Sequence, residues 1–209
     1  MIEPLNKTNP PGSYPEFEAR GELFRDKRSK RVIFVSHCIL NQNAMINGMA
    51  SYPGVFRELI DAIAGSDCSI VQLECPEMMV LGLDRKVDIH TTRTTGSEDT
   101  RVRVLMEMRS GRSSCRKMAE KAVYQINQYR QSGFVVAGVL GINASPTCGV
   151  ETTWSDGMEI PGPGVFIQEL QKAFMRHYLK VPVCGINLND PDQATEIVHQ
   201  VLSRKSFIS

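Results

Sequence analysis

Three of the six cysteines occupy equivalent positions in the sequence. Cys38, Cys75 and Cys148 each follow, within a few residues, a run of apolar side chains. Their neighbours are polar: Ser36, His37, Asn41, Asn43, Glu74, Glu77, Asn143 and Ser145. Three thiolates with one open coordination position suit a soft metal centre. The residue types alone leave two such centres open, a cubane iron–sulfur cluster and a zinc ion with His37 or water as its fourth ligand.

The other three cysteines lack this setting. Cys68 precedes an apolar run, Cys115 falls within a helical pattern, and Cys184 lies inside an apolar run. We interpret them as small buried side chains, which is the commonest role of a free cysteine. The scattered spacing contains no Cys-x-x-Cys pair of the zinc-ribbon or thioredoxin type, and disulfides are not expected in a reducing compartment.

Four apolar runs, each long enough for one buried strand, alternate with helical patterns. The strands are predicted at residues 32–35, 69–73, 134–140 and 181–186. Helical spacing of apolar residues connects them at 55–63 and 118–129, then after the turn at 162–164, and a last helix begins at Asp190-Pro191. This alternation predicts an α/β fold: a single-domain, open, mainly parallel sheet with helices on both faces, a Rossmann-like three-layer sandwich. Ligands in such folds bind at the carboxyl ends of the strands, where all three cysteine loops are expected.

Two segments fall outside this alternation. Residues 1–30 contain four prolines and lead into a charged run, so we predict an N-terminal extension there and the α/β domain at 31–209. Residues 84–110 are polar and rich in threonine and charge, and we predict an excursion over the surface.

Composition excludes several classes of protein. Lys and Arg total 24 and Asp and Glu total 23, giving a net charge of +1, so no basic field is present to attract nucleic acid. No apolar run approaches the roughly 20 residues of a membrane span. The N-terminus has no signal-peptide pattern, which predicts a cytoplasmic protein. No Gly-x-Gly-x-x-Gly follows the first strand, which argues against a dinucleotide enzyme. A homodimer stays an open alternative.

Three motifs, in this order, carry a specific resemblance. They are Val-Ser-His-Cys-Ile-Leu at 35–40, Glu-Cys-Pro-Glu at 74–77 and Ala-Ser-Pro-Thr-Cys-Gly at 144–149. Together they resemble the thiouracil desulfurase (desulfidase) family, and most closely a branch whose first motif is Ser-His-Cys-Ile-Leu-Asn. The resemblance covers about residues 31–187. It implies a [4Fe-4S] cluster held by three cysteines, here Cys38, Cys75 and Cys148, whose fourth iron takes sulfur from a thiolated base.

The chain departs from the typical family pattern near the first two motifs. Residues 38–41 read Cys-Ile-Leu-Asn where typical members have Cys-Leu-Leu-Gly, and 46–48 read Ile-Asn-Gly in place of Tyr-Asp-Gly. Residues 78–83 replace a Gly-Gly-Leu sequence. These differences leave the three cysteines intact and bear on the substrate.

The expected activity is therefore desulfidation of a small, thiouracil-like heterocycle. We predict Glu77, Glu74 and Ser145 as the catalytic residues, because positioned carboxylates can activate water and protonate a leaving atom. The predicted substrate contacts are Ser36, Asn41, Asn143 and Arg85. Two alternatives use the same cysteines: a zinc-dependent hydrolase, and a non-catalytic protein that binds metal or sulfide.

Overall fold

The computed structural model describes residues 27–86 and 94–203. Four strands form one parallel sheet in the order β2–β1–β3–β6, and two more form a separate antiparallel hairpin. The strands are β1 Arg31–Val35, β2 Ser69–Gln72, β3 Val135–Ile142, β4 Thr152–Ser155, β5 Met158–Pro161 and β6 Val183–Ile186. The four-stranded sheet confirms the predicted strands, with ends that differ by a few residues.

Helices cover both faces of the sheet. They are α1 His37–Leu40, α2 Arg57–Ala64, α3 Pro76–Leu81, α4 Thr95–Glu107, α5 Arg109–Gln131, α6 Val165–Arg176 and α7 Pro191–Ser203. Strand residues alternate between two cores, because successive side chains of a strand point to opposite faces. Val32 and Phe34 pack with α4, α5 and α6, while Ile33 and Val35 pack with α2 and α7. The α/β three-layer arrangement is confirmed.

The surface excursion predicted at 84–110 is wrong over its second half. Residues 95–107 form α4, which begins with a capping box between Thr94 and Ser97 and buries Val102 and Met106 in the core. The helix was missed because its inward face also carries charged residues, among them the buried Arg103, so the apolar period is weak. Residues 87–93 of this segment lie outside the described residues.

The sequence does not predict the hairpin β4–β5 either, since the segment after Cys148 has the composition of a polar loop. Its turn consists of Asp156 and Gly157, whose φ angles of +51° and +82° are those of a tight hairpin turn. The hairpin packs against α4 through Trp154, whose indole N–H donates to the carbonyl of Gly96 at 3.0 Å. Trp154 is therefore a packing residue between the hairpin and α4.

Within 27–86 and 94–203, no helix is long and apolar enough to cross a membrane. Most of the predicted extension, residues 1–26, lies outside the described residues, so the boundary between extension and domain stays a prediction.

Candidate metal centre

The three cysteines lie beyond the carboxyl ends of three neighbouring strands. Cys38 is in the short helix α1, directly after β1, and Cys75 precedes α3, just after β2. Cys148 lies in the turn after β3. Because β2, β1 and β3 are adjacent in the sheet, the loops that carry the cysteines are adjacent too.

Each of the three thiols interacts electrostatically with the other two. Burial, followed by the charges of Cys75 and Glu77, raises the pKa of Cys38 to about 12. Burial also raises the pKa of Cys148 well above its ordinary value, with further contributions from Cys38, Cys75 and Glu77. The same two causes, burial and then Glu77, raise the pKa of Cys75. The three sulfurs and the Glu77 carboxyl are thus near enough to influence one another's charge.

Cys38 lies in the short helix α1 and not at the end of strand β1. Ser36 leaves β1 and His37 begins α1, so strand alternation does not place the His37 ring relative to Cys38. The His37 ring instead contacts the Asn41 amide, with 3.3 Å between Nε2 and Nδ2. Asn41, a predicted substrate contact, is thereby held next to His37 at the end of α1.

Cys75 is positioned by the helix that follows it. Its sulfur accepts the backbone N–H of Met78 at 3.5 Å, and so caps the N-terminus of α3. Pro76 occupies the first helical position, where its missing N–H costs nothing. The N–H group and the helix dipole both favour negative charge on this sulfur. Arg85 adds a third positive partner, with Nη2 at 3.6 Å from the sulfur.

Arg85 is fully buried, with 1% of its surface exposed, and each of its five N–H donors has a partner. Nε donates to Glu77 at 3.2 Å, Nη1 donates to the carbonyls of Gly82 and Leu83 at 2.9 Å each, and Nη2 reaches the carbonyl of Ala44 as well as Cys75. A guanidinium has five donors in total. None is therefore left to bind a substrate directly, and Arg85 instead ties the Cys75 loop to the segment after α1.

The Cys148 turn is organised by two predicted site residues. The Ser145 hydroxyl oxygen accepts the backbone N–H of Cys148 at 3.0 Å and that of Thr147 at 3.3 Å. The Asn143 side-chain oxygen accepts the backbone N–H groups of 150–152, at 3.1 to 3.5 Å. Both side chains fold the loop around Cys148, and the structure gives no contact that tests their catalytic or substrate-binding roles.

Ser36, like Arg85, is a predicted substrate contact that acts on at least one of the three thiols. Its side chain is 1% exposed, and its hydroxyl has no conventional hydrogen-bond partner among the described residues. The hydroxyl acts on Cys148. Burial raises the pKa of the Cys148 thiol, and Ser36 lowers it by a smaller amount. A buried hydroxyl beside a thiol is placed to donate to that sulfur once the proton of the thiol has been lost.

The two predicted glutamates have different surroundings. Glu77 is buried, contacts Arg85, and lies within electrostatic range of all three cysteines. Glu74 is partly exposed and pairs with Lys121 of α5 at 2.6 Å. This pair lines a cleft of about 110 Å³ whose floor includes Leu73 and Phe166. The geometry thus favours Glu77 over Glu74 as the carboxylate nearest the cysteines.

Sequence reasoning missed Asp99, a partly buried residue of α4. Burial, then the charges of Glu77 and Glu98, raise the pKa of Asp99 to about 7. The segment was interpreted as exposed, so nothing in the pattern pointed to this carboxyl. The only available signal was its spacing from Val102 and Met106, three and seven residues later, which places it on the inward face of a helix.

The donor set fits an iron–sulfur cluster. Burial and the neighbouring negative charges keep the three thiols protonated. A bound cation would offset both effects, since a coordinating metal deprotonates a thiol outright. In the described ranges, no three His, Cys, Asp or Glu side chains are grouped so that they could hold one metal ion. A cubane cluster binds each thiolate through a different iron, so it does not require the three sulfurs to meet at a single ion.

A comparison with protein families agrees with the resemblance found in the sequence. A family model described as 2-thiouracil desulfurase matches residues 33–181. A protein of Methanocaldococcus jannaschii, named "Uncharacterized protein MJ0003", is 31% identical over 123 residues, which are 59% of this chain and 70% of that protein. A solved structure described as "[4Fe-4S]-dependent thiouracil desulfidase TudS" aligns with 81% of this chain and 99% of its own, at 18% identity and a TM-score of 0.41. Because the family model covers well over half of its length, the chain belongs to the 2-thiouracil desulfurase family.

Proposed function

We propose that this protein removes sulfur from a small thiolated heterocycle of the thiouracil type, at a [4Fe-4S] cluster bound by Cys38, Cys75 and Cys148. The observation that carries the proposal is the position of these three cysteines beyond the carboxyl ends of three adjacent strands, where their thiols interact electrostatically in pairs. Membership of the desulfurase family supports the activity. The reaction exchanges the C–S bond of a thiocarbonyl for a C–O bond from water, releases hydrogen sulfide, and transfers no net electrons.

The cluster, when bound, supplies an iron without a protein ligand, which is a Lewis acid with affinity for the substrate's sulfur. The chain supplies the proton transfers. Glu77 is the first candidate to take a proton from the attacking water, because its charge acts on all three thiols. Its contact with Arg85 fixes the direction of the carboxyl group. Glu74, held by Lys121, is the second candidate.

The remaining predicted residues act around the cluster. Ser36 donates to the Cys148 sulfur, and Ser145 and Asn143 hold the turn on which Cys148 lies. Asn41 keeps its predicted role as a substrate contact, beside His37. Arg85 changes from substrate contact to positioning residue, since its donors are all used within the protein.

Anaerobic analysis of iron and acid-labile sulfide, together with release of sulfide from 2-thiouracil, tests the proposal. The wild-type chain is expected to bind four irons and four sulfides in the cubane ratio. Cys38→Ser, Cys75→Ser and Cys148→Ser should each abolish cluster binding and turnover, whereas Cys68→Ala, on the far edge of the sheet, should keep both.

Other results identify the alternatives. Zinc in place of iron, with hydrolytic activity, would support the zinc hydrolase. A full cluster with no sulfide release from any thiolated base would support a binding protein. The cytoplasmic location and the absence of nucleic acid and membrane partners stay predictions, which cell fractionation tests. The homodimer stays an open alternative, which a measurement of mass in solution tests.

A further inference from the structure

Helix α4 contacts the loops that carry two of the three cysteines, although it carries no cysteine itself. We propose that Arg103 and Thr153 are positioning residues that hold Cys148 at the correct distance from Cys75 for cluster binding. The proposal rests on the proposed function, since it concerns the same centre. It assigns a role to α4 and to the hairpin that neither the family motifs nor the cysteine pattern contains.

Arg103 reaches from α4 into the Cys148 loop. Its Nη1 donates to the carbonyl of Pro146 at 3.3 Å and to the hydroxyl of Thr153 at 3.0 Å, and both contacts are buried. Its Nε donates to Glu107 at 2.9 Å on the same helix, which balances its charge. A guanidinium that is 8% exposed costs free energy to desolvate, so these partners are needed to keep it inside the protein.

Thr153 connects Arg103 to the turn that carries Cys148. Its hydroxyl accepts from Arg103 and donates to the carbonyl of Ser145 at 2.9 Å, and the residue is 1% exposed. The hydroxyl of Ser145 in turn accepts the Cys148 N–H at 3.0 Å. A continuous chain of hydrogen bonds therefore runs from Arg103 through Thr153 and Ser145 to the backbone of Cys148.

The same helix is connected to Cys75 through a second arginine. Arg101 donates from Nη2 to the backbone carbonyl of Arg85 at 2.8 Å, and the Arg85 guanidinium contacts the Cys75 sulfur. Arg101 is itself held by Glu98 at 2.8 Å. Two arginines of α4, two positions apart, are thus connected to two different cysteines: Arg103 contacts the Cys148 loop directly, and Arg101 is connected to Cys75 through Arg85. A displacement of either connection changes the spacing between Cys75 and Cys148.

Thr153 offers the sharper test because its two substitutions differ in one group. Thr153→Val keeps the β-branched shape and removes the hydroxyl, while Thr153→Ser keeps the hydroxyl and removes a methyl group. Arg103→Met removes the guanidinium and keeps most of the stem. Arg116→Met is the control for loss of an arginine away from the cysteines: Arg116 lies on α5, is mostly exposed, and pairs with the buried Glu169 at 3.4 Å, a contact to neither cysteine loop.

Wild type and the four variants are loaded with iron and sulfide in the absence of oxygen. Bound iron, the visible spectrum and the rate of cluster loss in air are then measured. The melting temperature of each protein is measured in its apo form. Outer contacts of a metal site typically change its affinity by about 10-fold to 100-fold. We expect Thr153→Val and Arg103→Met to lose the cluster about 10-fold faster than wild type, with Thr153→Ser and Arg116→Met close to wild type.

The melting temperatures separate positioning from general destabilisation. If Thr153→Val and Arg116→Met have the same melting temperature, faster cluster loss in Thr153→Val supports the positioning role. A wild-type rate of cluster loss in Thr153→Val, or an equal loss in Arg116→Met, would overturn it. A wild-type chain that binds no iron would overturn the proposed function itself, and that outcome is recognised before any variant is compared.

Discussion

The Arg85 guanidinium lies 3.6 Å from the sulfur of Cys75 and 3.2 Å from the carboxylate of Glu77. Arg85 is completely enclosed, so its positive charge acts through a low-dielectric interior and is felt strongly by both neighbours. The cation lowers the pKa of Cys75, although burial and Glu77 outweigh it. One side chain therefore contacts both a proposed cluster ligand, Cys75, and the candidate general base, Glu77.

Replacing Arg85 by lysine is expected to damage both the fold and the cluster. Lysine has three donors where arginine has five, so at least two acceptors lose their partners, and the planar geometry is lost. The free energy of unfolding of the apo protein should fall by about 3 kcal/mol, as for other buried pairs that lose a partner. Denaturant unfolding and iron content measure the two effects. Arg57→Met removes an exposed arginine of α2 and should change neither, within about 0.5 kcal/mol.

Glu77→Gln and Glu74→Gln separate the two candidate carboxylates. If Glu77 transfers the proton, Glu77→Gln should lower kcat by about 100-fold or more and keep the cluster, because proton transfer contributes about that factor. Glu74→Gln should change kcat less, since Glu74 lies at the cleft with Lys121. Sulfide release under single-turnover conditions is the measurement. A larger loss from Glu74→Gln would reverse the assignment.

Ser36→Ala tests whether the buried hydroxyl serves the thiols. The Ser36 hydroxyl has no conventional partner within the described residues, so its removal should not lower the stability of the apo protein. It should lower the reduction potential of the bound cluster, because a donor to a ligand sulfur stabilises the more negative, reduced state. Redox titration followed by the visible spectrum gives the potential. An unchanged potential would mean that the hydroxyl does not donate to the sulfur.

The sequence predicted the parallel sheet because short apolar runs alternate along it with helical patterns, which is typical of α/β folds. It also placed the loops of Cys38, Cys75 and Cys148 at neighbouring strand ends, because parallel strands have their carboxyl ends at one edge. That the three sulfurs bind one cluster stays a prediction. Both inferences depend on regular patterns. The position of Cys38 on a helical turn was not predicted, since four residues are too few for a helical period.

The parts that were missed are those in which buried polar residues replace apolar ones. Helix α4 turns Glu98 and Arg103 inward, and the hairpin buries Thr153. Their partners lie far away in the chain, such as Pro146 for Arg103. A hydrogen bond between distant segments leaves no local period in the sequence, so it is visible only when the fold is known.

Asp99→Asn is expected to stabilise the apo protein at high pH. The pKa of Asp99 is raised to about 7 in the folded state, whereas an unfolded aspartate titrates near 4. The folded state therefore binds the proton more tightly, and the free energy of unfolding falls as the pH rises from about 4 to about 7. Asparagine resembles the protonated form and avoids this loss.

The gain should be on the order of 1 kcal/mol at pH 8, since Asp99 is partly solvated, and smaller at pH 5. Urea unfolding at the two pH values is sufficient. Asp61→Asn, at an exposed aspartate of α2, provides the comparison. An Asp99→Asn effect that does not grow with pH would place the titration of Asp99 in its ordinary range.

Gly149→Ala should disturb the cluster without touching any side chain of the pocket. A Cβ at Gly149 would collide with the carbonyl oxygen of Thr152 and lie only 2.8 Å from that of Ser145, and both belong to the backbone. The turn that carries Cys148 must therefore shift, because Gly149 also donates its N–H to Ser145 at 3.1 Å. Crowding of this kind costs about 1–3 kcal/mol of stability.

Gly54→Ala is the matched change, because a Cβ there meets nothing within 4 Å. It should leave iron binding intact and raise the stability by about 0.5 kcal/mol, as alanine restricts the unfolded chain. Gly149→Ala should bind less iron than wild type under the same anaerobic loading, with a faster loss in air. Equal iron content in the two variants would show that the centre tolerates movement of the Cys148 turn. The arrangement of the three thiols would then not depend on the backbone at Gly149.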